Sequence, residues 1–118
     1  MYGVVMDQKS IWGVLDMLIL DVLASGPSYG YAISQSVVGS SKGYFELKEG
    51  SLYPALHRLE RQKLLASYWE EPEEGRRRKY YKITSAGQAE LKTKRKEWNE
   101  FSSAVGHVLG ARHAFGTA

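Results

Sequence analysis

Gly50-Ser51-Leu52-Tyr53-Pro54-Ala55-Leu56-His57-Arg58-Leu59-Glu60, read with Arg76-Arg77-Arg78-Lys79-Tyr80-Tyr81-Lys82-Ile83-Thr84, decides the fold. Leu52, Leu56 and Leu59 fall on one side of a helical wheel, which makes them a core face. Ser51, Pro54, His57, Arg58 and Arg61 fall on the other side and are free to touch something else. Pro54 sits in the first turn, where a missing N–H costs little. The spacing predicts a helix over about 51–63. Leu64 to Glu71, with Leu65, Tyr68 and Trp69, suits a strand. Glu71-Pro72-Glu73-Glu74-Gly75 is a turn, and Arg77 to Ile83 is the return strand of a β-hairpin.

Working outward, Ile11, Leu15, Leu18, Ile19, Val22 and Leu23 recur at three- and four-residue steps, with Trp12 beside them. This is a first helix, capped by Ser10 and stopped by Gly26-Pro27. Ser28 is the expected cap of a second helix over about 29–38, with Ala32, Ile33 and Val37 inward. Gly39 to Gly43 reads as a loop and 44–47 as a short extended piece. Thr84-Ser85 caps a final helix carrying Leu91, Trp98, Phe101, Val105, Val108 and Leu109 at nearly heptad spacing, interrupted by Lys94. A long helix with one aromatic stripe has little of its own domain left to pack on, so a second copy of the chain is the expected partner. Gly106, Gly110 and Gly116 predict fraying after about Leu109. The expected organisation is a flexible lead-in over 1–10, a compact domain over 11–84, a dimerisation helix over 85–110 and a flexible tail over 111–118. The fold class is mainly α with a small β-hairpin.

Composition narrows the function. The 118 residues include no cysteine, which excludes disulfides and cysteine-based zinc sites and fits a cytoplasmic location. The longest apolar run, Val14 to Ala24, is broken by Asp16 and Asp21 and is too short to span a bilayer. No signal peptide is evident. Glycine-rich phosphate loops and activated nucleophiles are absent, His57, His107 and His113 lack metal-ligand spacing, and neither an enzyme nor a cofactor is expected. The net charge is only +3, yet 76–96 holds nine basic residues against the single acid Glu90. Glu70, Glu71, Glu73 and Glu74 precede it, so charge is clustered rather than spread.

Three helices, a strand, a turn, a basic strand and a last helix make the order of a winged helix-turn-helix. Its third helix would enter the major groove of double-stranded DNA. Arg58 and Arg61 would reach guanine edges or phosphates, and Ser51 and Tyr53 phosphates near the helix N-terminus. Tyr53 packing against the wing, and His57 as a plain surface histidine, are the alternatives. Arg76, Arg77, Arg78 and Lys79 would lie along the backbone or in the minor groove.

The two opening segments, the Tyr29-Gly30-Tyr31 turn and Gly87 together resemble the PadR family of bacterial transcriptional regulators, over roughly Leu15 to Leu91. The last helix with Trp98 is similar to the short subfamily, which has one C-terminal helix. The resemblance implies a homodimeric repressor on a palindromic operator, relieved in some members by a small aromatic or drug-like effector. A tryptophan of the C-terminal helix lines a flat pore at the dimer interface of some multidrug-sensing members, and Trp98 matches by position. Trp12, Leu91, Trp98, Phe101 and Val105 are the expected dimer or effector residues, although an aromatic stripe also suits a plain interface core. A winged-helix module that binds other proteins, without sequence-specific DNA binding, is the rival reading.

Overall fold

The computed structural model describes residues 4–5, 13–71 and 75–113, and side chains over 13–71 and 75–110. The chain runs β1 (Val4–Val5), α1 (Val14–Ala24), β2 (Ser28–Tyr29), α2 (Gly30–Ser40), β3 (Phe45–Glu46), α3 (Glu49–Arg61), β4 (Leu65–Glu70), β5 (Arg78–Ile83) and α4 (Ser85–His113). Leu15, Ile19, Leu20 and Leu23 of α1, Ile33 of α2, and Leu52, Ala55, Leu56 and Leu59 of α3 are buried together. Each large aliphatic side chain withdrawn from water in this way contributes about 1.5–3 kcal/mol. Leu65 of β4, Tyr81 of β5 and Leu91 of α4 close the same core. The expected core face of the third helix is therefore the observed one.

The sheet has three strands, not two. β5 pairs antiparallel with β4 on one side and with β2 on the other, in the order β2-β5-β4. Tyr80 stands opposite both Tyr29 and Tyr68, and Tyr81 opposite both Ser28 and Ser67. Ser28 is accordingly a strand residue rather than a helix cap. The N-cap of α2 is the extended Tyr29, whose side chain makes no capping bond. The lead-in includes a strand of its own, since Val4–Val5 pairs parallel with Phe45–Glu46. Ser10, Ile11 and Trp12 lie outside the described residues; α1 begins after Gly13, which takes φ 76 at the N-cap.

α3 starts two residues earlier than its spacing predicts, after the extended Lys48, with Glu49 in its first turn. An acid there is favoured by the free N–H groups of the helix end. It stops abruptly: Lys63 N–H donates to the Glu60 carbonyl (2.9 Å) and Leu64 N–H to the Leu59 carbonyl (3.0 Å). This is a Schellman turn, with Lys63 at φ 64 where glycine usually sits. The turn sends the chain straight into β4 and so fixes the wing beside the helix.

Thr84 begins α4 as expected. Gly87 N–H donates to Thr84 Oγ1 (3.0 Å), and Thr84 Oγ1–H in turn donates to the Lys63 carbonyl (2.7 Å). The helix runs to His113, past the expected fraying point. A glycine costs a helix about 1 kcal/mol, which weakens it without ending it.

Gly87 is where α4 meets the strap into β4. A Cβ there would lie 2.2 Å from the Leu64 carbonyl oxygen and 2.7 Å from Ile83 Cγ1. The oxygen belongs to backbone and cannot swing aside. Gly87→Ala is expected to lower stability by about 1–3 kcal/mol, more than the roughly 1 kcal/mol that alanine gains in a helix. Gly39, also helical, has nothing within 4 Å of such a Cβ, so Gly39→Ala should raise stability by up to about 1 kcal/mol. Urea unfolding of both variants followed by circular dichroism checks the opposite signs.

Candidate nucleic-acid interface

The outward face of α3 is built by the leucines behind it. With Leu52, Leu56 and Leu59 held in the core, His57, Pro54 and Arg61 are exposed and Ser51 is partly exposed. Tyr53 occupies the margin. Its ring lies against the start of α2, and a Cβ on Gly30 would come within 2.4 Å of the Tyr53 hydroxyl oxygen. A side chain at position 30 would have to push the Tyr53 ring aside. The tyrosine packs on the turn into α2 and lines the same cleft as Trp69 and Tyr81 of the wing.

The turn at Lys63 and the shared core around Leu65 and Tyr81 set the wing beside α3, and Glu60 reaches both of its strands. Ser67 Oγ of β4 donates to Glu60 Oε2 (2.5 Å), and Lys79 Nζ of β5 lies 3.7 Å from Glu60 Oε1. Aromatic rings then receive the cations. The Arg77 guanidinium sits 4.7 Å from the Trp69 ring centroid, Arg78 4.5 Å from Tyr29, and the Lys79 ammonium 5.4 Å from Tyr81. Tyr80 is stacked on Tyr68 at 5.7 Å and meets Tyr29 edge-on at 5.4 Å. Burial pushes the Tyr81 hydroxyl above its ordinary pKa, only partly opposed by the neighbouring Lys79. It therefore stays neutral at physiological pH.

Together α2, α3 and the wing enclose an open concavity of about 580 Å³ lined by Tyr31, Tyr53, His57, Trp69, Arg76 and Arg78, among others. Aromatic faces and guanidinium groups pointing into one cleft can take phosphates, sugars and base edges. Trp69 and Tyr31 are 55% and 66% exposed and were not singled out as contacts from sequence. Sequence spacing carries no signal for either, since what brings Trp69 opposite Lys79 is the strand register.

The predicted contacts divide. His57, Arg76 and Arg78 line this cleft and Arg77 rests on Trp69 beside it, Arg61 borders a shallow hollow with His57 and Glu60, and Lys79 and Arg58 are paired with Glu60 and Asp16. Arg58 Nη2 donates to Asp16 Oδ1 of α1 and the pair is mostly shielded from solvent. The wheel had set Arg58 opposite the leucines, but it lies on the flank that faces α1.

A second concavity, about 210 Å³, lies between α1 and α4, lined by Val14, Met17, Lys94, Glu97, Trp98 and Phe101. Trp98 and Phe101 stand 6.0 Å apart between ring centroids. Val105, Val108 and Leu109 continue this stripe and are 40–62% exposed. Leu91, expected with them, is instead buried in the core of its own chain at 3% exposed. Trp12 lies outside the described residues. Among the described residues, no group of three or more His, Cys, Asp or Glu side chains is placed to hold a metal. No helix among them is long and apolar enough to cross a membrane.

Residues 19–93 match the model of the PadR-like transcriptional regulator family. The chain is 37% identical over 98 residues to the transcriptional regulator Rv3488 of Mycobacterium tuberculosis, covering 83% of this chain and 86% of that one. It is similar to the crystal structure of a PadR family transcription regulator from Clostridium difficile, at 38% identity and TM-score 0.73, with 83% and 100% of the two chains covered. A transcriptional regulator from Clostridium thermocellum matches at 36% identity and TM-score 0.75, with 82% and 94% covered. With the winged helix, the cationic hairpin and these matches in agreement, the chain belongs to the PadR family of transcriptional regulators.

Proposed function

We propose that the protein is a cytoplasmic repressor that binds a palindromic operator as a homodimer. One observation carries this: the basic wing stands beside the exposed face of α3, where Glu60 reaches both of its strands. That arrangement offers a helix to the major groove and cations to the flanking phosphates at the same time. Ser51, His57 and Arg61 read or anchor at the groove; Arg76, Arg77 and Arg78 follow the backbone. The exposed stripe Trp98, Phe101, Val105 and Val108 pairs with the same stripe of a second copy. A small aromatic or drug-like effector enters beside Trp98, where Glu97 suits a cationic ring.

Selection of duplexes from a random pool, followed by anisotropy titration across salt, tests the reading. A preferred, two-fold symmetric sequence is expected. Arg76→Ala combined with Arg77→Ala should weaken binding to all sequences alike and reduce the slope of log K against log salt by about 2. Failure to prefer any duplex favours a protein-binding module.

Val105→Asp with Val108→Asp should give a monomer in sedimentation equilibrium and lower operator affinity with it. Trp98 emission should be quenched by some member of a panel of planar cationic and phenolic compounds, and the signal should vanish in Trp98→Phe. No quenching across a broad panel removes the effector from the reading.

A further inference from the structure

α1 has two acidic residues, and each is paired with a base from a different helix. Asp16 accepts from Arg58 of α3, and Asp21 accepts from Arg95 of α4. The two pairs differ in setting. Asp21 and Arg95 are about half exposed, whereas the Asp16 and Arg58 side chains are 17% and 28% exposed. An exposed pair contributes little, while one shielded from water fixes direction and is costly to break from one side. Asp16 lies between Val14 and Met17, both of which line the groove against α4. One turn of α1 therefore faces the α4 groove and grips α3 at once.

We propose that Asp16 is a positioning residue for DNA binding, acting through Arg58 to set the angle at which α3 is presented. Arg58 is then a tie between helices and not a DNA contact. The inference rests on the DNA-binding reading above. It makes a prediction of sign. If Arg58 were a DNA contact held back by Asp16, removing the carboxylate would release it and tighten binding. If Asp16 positions α3, removing it loosens recognition.

The test uses the full chain and the duplex selected by the wild type. Kd for that duplex and for an unrelated duplex is measured across salt, with folding checked by circular dichroism. Asp16→Asn is expected to weaken the selected duplex about tenfold, the worth of one good base contact. Unrelated duplex and the salt slope should stay unchanged, because no phosphate contact is lost. A mere loss of stability would instead lower the active fraction on both duplexes equally. The reversed pair, Asp16→Arg with Arg58→Asp, should restore the preference, since it keeps the tie and the net charge. Tighter or unchanged binding by Asp16→Asn overturns the proposal. If Asp16→Asn does not fold, the reversed pair decides alone: restored preference supports the tie. Lost affinity with a slope reduced by about 1 makes Arg58 a phosphate contact. A wild type that prefers no duplex overturns the functional reading itself, which is a different result from a wild type that does and a variant that does not respond.

Discussion

A helix packed on several sides can carry a charge only where that charge is answered. α1 is such a helix. Leu15, Ile19, Leu20 and Leu23 are at most 1% exposed, and α2, α3, α4 and β5 all lean on it. Asp16 therefore leaves toward the flank shared with α3, where Arg58 answers it, while Asp21 stands half exposed beside Arg95 at the surface. The leucines fix α3 by close packing, which has no preference among charges. The Asp16–Arg58 pair adds a polar tie at one point of that contact.

The wing shows the same division of labour. Trp69, Tyr29 and Tyr81 give three cations a resting place without neutralising them. A guanidinium on a ring keeps its charge and donors but loses rotamer freedom before any partner arrives. That loss is otherwise charged at binding, at about 0.5–1.5 kcal/mol for each long side chain ordered. Carboxylates work against the field, however. Glu71 stands 3.8 Å from Arg77, and Glu60 faces Lys79. The local positive potential is smaller than a count of basic residues suggests.

Periodicity made the main frame legible. Leu52, Leu56 and Leu59 could only be a core face, and the hairpin around Glu71 to Gly75 announced itself by composition. What periodicity cannot show is what stands opposite a side chain. Arg58 reads as an outward base until α1 is placed beside it, and Leu91 reads as part of an outer stripe until β5 and α1 close over it. β2 was illegible for a different reason: two residues contain no period, and Ser28 before a helix looks like a cap. Gly30 and Gly87 looked like motif letters. Each stands against a neighbour, one the ring of Tyr53 and the other the Leu64 carbonyl.

α4 sets the remaining demand. Its 29 residues extend about 43 Å at 1.5 Å per residue, and the chain's radius of gyration is 16.6 Å, against roughly 13–14 Å for a compact fold of this length. The helix projects, and its apolar stripe projects with it. Fully burying such a side chain yields about 1.5–3 kcal/mol, so stripe residues already half covered have about 1 kcal/mol each left to gain. Association must offset about 4–15 kcal/mol of lost freedom. Trp98 and Phe101 from two copies fall short of the middle of that range. Adding Val105, Val108 and Leu109 from both copies brings the gain to about 10 kcal/mol. Stable pairing through this face therefore depends on the helix continuing past Gly106, which it does.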